Sequence, residues 1–196
     1  MSRELVLLLA GLVMLKMIIS DSKKNGGKIK LPSSLTSNQR SNALRIINAF
    51  KEYGDSDFRK LAYILATAWH ESRLMPIKEI RADYNKNRTL YNLQKRYWDS
   101  GYYGRGFVQL TWKENYEAMN KYTKSDIVSN PDSVLNPDDS AKVIVIGMMN
   151  GFFTGKKLSD YINSKGADYV NARRVVNLLD RAELISQNTK KFINHG

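Results

Sequence analysis

From Ala43 onward the apolar residues recur at i, i+3, i+4 and i+7, and this spacing commits most of the chain to helices. Ala43, Ile46, Ile47 and Phe50 follow Ser37, a residue type that caps helices, and predict a first helix. Phe58, Leu61, Ala62, Leu65 and Ala68 predict a second, from about Asp57 to Glu71. Helical signals return at 113–122, at 138–152 through Val143, Ile144, Met148 and Phe152, at 168–177 and at 180–193. Pro131 and Pro137 punctuate the loop ahead of the 138–152 helix. Residues 80–112, rich in Tyr, Asn, Gly and Arg, read as loops with a small hairpin. The expected fold is mainly α (α+β), a helical domain with a small loop and hairpin lobe.

Ahead of this domain the chain changes character. Leu5–Ile19 is apolar except for Lys16. As a helix it would cover roughly 22 Å, and snorkelling of Lys16 would help it span a core of about 30 Å. Arg3 is followed at once by Glu4 and no small-residue cleavage site appears, so a membrane anchor is preferred to a signal peptide. Residues 20–34 carry the Gly, Ser, Lys and Pro of a tether. The expected organisation is an anchoring transmembrane helix at 1–20, a flexible linker at 21–35 and one domain at 36–196. Lys16, Lys23, Lys24, Lys28 and Lys30 lie on the C-terminal side of the apolar run. The positive-inside rule would then keep the domain cytoplasmic, against the needs of an enzyme that acts outside.

The formal net charge is +12. Residues 1–30 hold six Lys/Arg against two Asp/Glu, and the rest of the chain holds 25 against 17. Such a surface attracts polyanions: nucleic acid, anionic lipid or the acidic polymers of a bacterial envelope. There is no cysteine, and the histidines are His70 and His195. A thiol nucleophile and a His/Cys metal cluster are thereby excluded, no Gly-rich phosphate loop is present, and no cofactor or metal is expected. Hydrolytic chemistry falls to carboxylates.

Two segments carry candidate chemistry. In Ala66–Ser72 an apolar helix delivers Glu71 at its C-terminal end, where the helix dipole and partial burial both disfavour a carboxylate. Such a group suits donation of a proton to a leaving glycosidic oxygen. Tyr102–Trp112 is an aromatic-rich turn leading into an extended apolar run, with Gln109 and Thr111 alternating onto one face. Its rings, amide and hydroxyl suit sugars.

These two segments resemble family 19 chitinases and their bacteriophage endolysin relatives, within the lysozyme-like superfamily. His70-Glu71 matches the family's catalytic helix, and Tyr103–Trp112 with Asn115-Tyr116 matches its signature almost position by position. Weaker similarity runs through Asn130-Pro131 and Ala172–Asn177. The resemblance implies a lysozyme-like helical fold and a peptidoglycan-degrading glycoside hydrolase that cleaves β-1,4 bonds with inversion. It implies Glu71 as general acid and Glu79 as general base, with Thr111 helping to hold the water. Gln109, Asn115 and Asn177 then fall at sugar-binding positions, and His70, Tyr103 and Arg105 in the cleft. Because the Glu71–Glu79 interval is short, Asp83, Asp99 and Glu114 are alternatives for the second carboxylate, and Arg181 is a candidate for a family arginine. Glu71-Ser72-Arg73-Leu74-Met75-Pro76 and Gly104–Leu110 also resemble lytic transglycosylases, which use one Glu. A third reading is a non-catalytic, membrane-anchored virion protein that binds nucleic acid. It leaves the paired motifs unexplained, so peptidoglycan or a chitin-like glycan is the expected partner, nucleic acid is not, and the membrane is met through residues 5–19. The expected location is a virion membrane or bacterial inner membrane, with action on the cell wall.

Overall fold

The computed structural model describes residues 27–194. The Leu5–Ile19 run lies outside the described residues, and among those described no helix is long and apolar enough to cross a membrane. The chain begins with a short strand, β1 (Lys28–Ile29), and enters helix α1 (Ser37–Tyr53). The cap of α1 is Thr36 rather than Ser37: Gln39 N donates to Thr36 Oγ1 at 3.3 Å and Thr36 N donates to Gln39 Oε1 at 2.9 Å. This reciprocal box satisfies donors that a helix start otherwise leaves unpaired. α1 buries Ala43, Ile46, Ile47 and Phe50, as the spacing predicts.

Helix α2 (Phe58–Ser72) is capped by Asp57 and is buried on nearly every side from Lys60 to Ala68. It stops abruptly. Arg73 and Leu74 both take left-handed backbone conformations, at φ 54° and 57°, an uncommon arrangement for two successive non-glycine residues. Leu74 is fully buried, and Asn42 Nδ2 donates to its carbonyl at 2.8 Å, which holds the reversal in place. The chain then forms β2 (Ile77–Lys78), helix α3 (Arg88–Trp98) and β3 (Arg105–Gly106), with β2 and β3 antiparallel and Ile77 opposite Gly106. Helix α3 falls where loops were expected. Its inward positions are Tyr91, Gln94, Tyr97 and Trp98, aromatic or amide residues that leave no aliphatic stripe, while Asn87 Oδ1 caps it from Leu90 N at 3.0 Å.

Helix α4 (Lys113–Asn120), the 3-10 turn Pro131–Leu135 and helix α5 (Pro137–Asn150) follow. α5 packs along α1 and supplies the core with Val143, Ile144, Val145, Ile146 and Met148. β4 (Ile162–Asn163) and β5 (Gly166–Ala167) form a hairpin, and α6 (Ala182–Lys191) packs on α2. The helix expected at 168–177 is instead the 3-10 turn Asn171–Val175. Asp168 Oδ1 accepts from Asn171 N at 3.0 Å, a local bond that competes with helix propagation. Finally β6 (Ile193–Asn194) pairs with β1, Lys28 opposite Asn194. Part of the expected 21–35 linker is packed: Lys30 N donates to Phe192 O at 2.9 Å and Leu35 is buried, so residues 28–35 belong to the fold, while 21–26 lie outside the described residues. Apolar Ile29, Leu31 and Leu35 among the lysines are what draw this segment onto the core.

Candidate active site

Glu71 projects from the last turn of α2, with its side chain 20 % exposed. Arg173 Nη1 lies 2.5 Å from Glu71 Oε1, and the Arg173 side chain is 3 % exposed. Arg173 Nε donates to Asp180 O at 2.9 Å, which fixes the guanidinium from behind. Glu71 thus has a buried guanidinium partner, rather than being the lone group at a helix end that the sequence suggests. Next to it His70 is half-buried. Burial holds its imidazole below the ordinary value of 6.5, with Glu71 pulling the other way.

Glu79 follows β2 directly, and its backbone N donates to Gly104 O at 2.8 Å. Its carboxylate accepts three hydrogen bonds. Gln94 Nε2 reaches Oε1 at 2.9 Å, Tyr97 Oη reaches the same oxygen at 2.7 Å, and Gly104 N reaches Oε2 at 2.9 Å. The absence of a side chain at Gly104 matters here. A Cβ at that position would lie 2.9 Å from Gln109 Oε1 and 3.1 Å from Glu79 Oε2.

The 104–112 turn connects the two carboxylates. Ser72, the residue after Glu71, places its hydroxyl 3.1 Å from Phe107 O, and Phe107 N donates to Ser140 Oγ at 2.7 Å. The turn is not the extended strand expected. Gln109 has φ 55° and Trp112 φ 74°, so Gln109 and Thr111 do not alternate along a strand face. Gln109 Nε2 donates to Ile77 O at 3.0 Å, Thr111 Oγ1 donates to Gln109 O at 2.9 Å, and Asn115 Nδ2 donates to Thr111 O at 2.8 Å. These three residues thus form one linked rim, joined through Gln109 to Ile77, two residues before Glu79.

Arg105 was expected on the cleft wall, and its guanidinium is turned inward. It is 4 % exposed, and its Nη1 donates to Gly101 O and Tyr103 O at 2.9 Å each while Nε meets Asp132 at 2.6 Å. It therefore braces the turn. The ring of Tyr103 stacks on Trp98 at 4.2 Å and faces the Arg105 guanidinium at 3.9 Å. Lys78, with Arg105 behind it, holds the Asp132 carboxyl below the ordinary carboxylate range. Asn177 is exposed on the other half, its N donating to Arg173 O at 3.0 Å. Asp83, Asp99 and Glu114 are exposed, Asp83 in a loop turn, Asp99 3.5 Å from Arg81, and Glu114 in the first turn of α4. Arg181 is also exposed, and the arginine against Glu71 is Arg173. Arg173 stands between Ala172 and Val175, both fully buried in the fold, where a cation requires a partner.

No family model matches the chain. An endochitinase of Arabidopsis thaliana is 37 % identical over 78 residues, which are 39 % of this chain and 27 % of that protein. The match thus spans about a quarter of the relative's length. Among solved structures, a bacterial family 19 chitinase superposes with a TM-score of 0.50 at 20 % identity, over 82 % of this chain and 86 % of its own. Chitinase C from Streptomyces griseus superposes with a TM-score of 0.51 at 20 % identity, over 82 % of this chain and 69 % of its own. The described residues have a mainly helical chitinase fold. That fold is the one of the family 19 glycoside hydrolases.

Proposed function

We propose that this chain is a peptidoglycan-degrading glycoside hydrolase that cleaves β-1,4 bonds with inversion, Glu71 acting as general acid and Glu79 as general base. The observation that carries this reading is the second carboxylate. Glu79 is held by three donors beside the Gln109–Thr111–Asn115 rim, an investment that a one-carboxylate transglycosylase does not need. In the reaction a water gives a proton to Glu79 as its oxygen attacks the anomeric carbon. The glycosidic C–O bond breaks, and the leaving oxygen takes a proton from Glu71 in its protonated form, which leaves a carboxylate facing the Arg173 guanidinium. His70, Tyr103 and Asn177 line the sugar path, and Arg105 keeps the turn in shape. Peptidoglycan is preferred to chitin because a charge of +12 concentrates the protein on an anionic envelope. The Leu5–Ile19 run supports a membrane-anchored phage lytic enzyme, held in a virion membrane or the bacterial inner membrane.

The test is mass spectrometry of fragments released from purified peptidoglycan, and from chitin oligomers, by the full chain, Glu71→Gln and Glu79→Gln. Reducing-end products that vanish in both variants are expected. Anhydro-sugar products that need Glu71 alone would establish a transglycosylase instead, and turnover by Glu71→Gln would sink the assignment.

A further inference from the structure

Helix α3 is docked unlike the others. Of its 11 residues Gln94 is the one fully buried, at 1 % exposure, and the remaining contacts are aromatic or cationic. Trp98 stacks on Tyr103, Tyr97 meets Trp112 edge-on at 5.2 Å, and Arg81 lies over the rings of Tyr91 and Trp98. A helix that buries one amide contributes little to a core. What its inner face does is grip the segment around Glu79. Gln94 Nε2 donates to Glu79 Oε1 and to Ile80 O at 2.9 Å each, while Gln94 Oε1 accepts from Ala82 N at 2.6 Å. Both donors and the acceptor of the amide are used on three residues of one short stretch. The Tyr97 hydroxyl adds a second bond to Oε1.

The two carboxylate oxygens are therefore unequal. Each can accept about two hydrogen bonds. Oε1 already takes two, from Gln94 and Tyr97, whereas Oε2 takes the Gly104 N–H and keeps a free acceptor site. Gly104 also leaves the space beside Oε2 clear of a Cβ. We propose that Gln94 and Tyr97 are positioning residues that occupy Glu79 Oε1 and so turn Oε2 toward the attacking water. This rests on Glu79 as the general base. In the step it describes, a water O–H bond breaks, its proton passes to Oε2, and the water oxygen forms the new bond to the anomeric carbon. Gln94 is neutral, so it orients the carboxylate without forming an ion pair with it. Tyr97 remains a donor throughout: burial, and after it the bond to Glu79, push its phenol well above the ordinary value.

The experiment compares the full chain with Tyr97→Phe, Gln94→Leu, Gln94→Glu and Glu79→Gln, measuring kcat and KM across pH and the thermal midpoint of each. Tyr97→Phe loses one hydroxyl and keeps the ring, which tests the contact without threatening the fold. Tyr97→Phe and Gln94→Leu should lower kcat roughly 10- to 100-fold, as a displaced catalytic group does, with KM within about twofold. Gln94→Glu can donate to Glu79 while the pair holds one proton. It should therefore retain turnover at acidic pH and lose it, relative to wild type, as the pH rises. Wild-type kcat in Tyr97→Phe and Gln94→Leu overturns the proposal, as does a loss of kcat that comes only with a collapsed thermal midpoint. A Gln94→Glu profile parallel to wild type overturns it as well. Glu79→Gln separates the two levels: if it turns over normally the base assignment fails, and if it is inactive while the other variants are normal, only the positioning role fails.

Discussion

Replacing Arg173 by Met should destabilise the protein and do so mainly through Glu71. Met keeps much of the apolar volume and removes the guanidinium. The Glu71 contact is a charge-assisted hydrogen bond, a type that contributes roughly 1.5–3 kcal/mol, and the bond to Asp180 O adds about 1 kcal/mol. Against this, a guanidinium that is costly to desolvate is no longer buried, and Glu71 at 20 % exposure regains some water. The net expectation is about 2–3 kcal/mol, a fall in Tm of roughly 5–10 °C for a domain of this size. The decisive assay is a double-mutant cycle by thermal and urea unfolding, with Arg173→Met made alone and together with Glu71→Gln. Once residue 71 is neutral the penalty of losing Arg173 should shrink by about 1–2 kcal/mol. An equal penalty in both backgrounds would refute the pairing and leave Arg173 as a residue that holds only the Asp180 turn.

Gly104→Ala should lower kcat at least about tenfold with a modest loss of stability, because its Cβ meets side-chain atoms of Gln109 and Glu79 rather than backbone; normal turnover would show that the carboxylate tolerates displacement. Since burial depresses the His70 pKa in the folded state, the unfolded chain takes up its proton first. Stability should thus be complete above pH 6.5 and decline as the pH falls below it, and His70→Asn should flatten that slope in Tm against pH. Thr36→Ala removes one half of the reciprocal cap on α1 and should cost about 1 kcal/mol in urea unfolding, with no change in KM.

Helices with an aliphatic stripe were legible from the residues alone. The Ala43–Phe50 and Leu61–Ala68 patterns reappear as the buried faces of α1 and α2, because burial against neighbours is what their periodicity encodes. Helix α3 was illegible for the opposite reason: Gln94, Tyr97 and Trp98 are positioned by hydrogen bonds and ring contacts to Glu79 and Tyr103, partners more than one helical turn away in the chain. The turn at Gln109 is not legible in the sequence because a left-handed glutamine carries no local signature. At the site, the candidate carboxylates were readable from their helix end and from the family resemblance. Their partners Arg173, Gln94 and Tyr97 were not, since each contact depends on tertiary closure over 15 to 102 residues of sequence.

The pairing of Lys28–Ile29 with Ile193–Asn194 has a mechanical meaning. Lys28 stands opposite Asn194, so the incoming and outgoing chain leave the pair at the same end. A pull between these two points loads the hydrogen bonds one after another, like a zipper, rather than all together in shear. Rupture therefore begins at this seam and passes next to α6, which is continuous with β6 and packs on α2. The grip on the helix that ends in Glu71 is thus lost early when the domain is stretched, and the Glu79 side, tied down by β2, β3 and α3, is reached later.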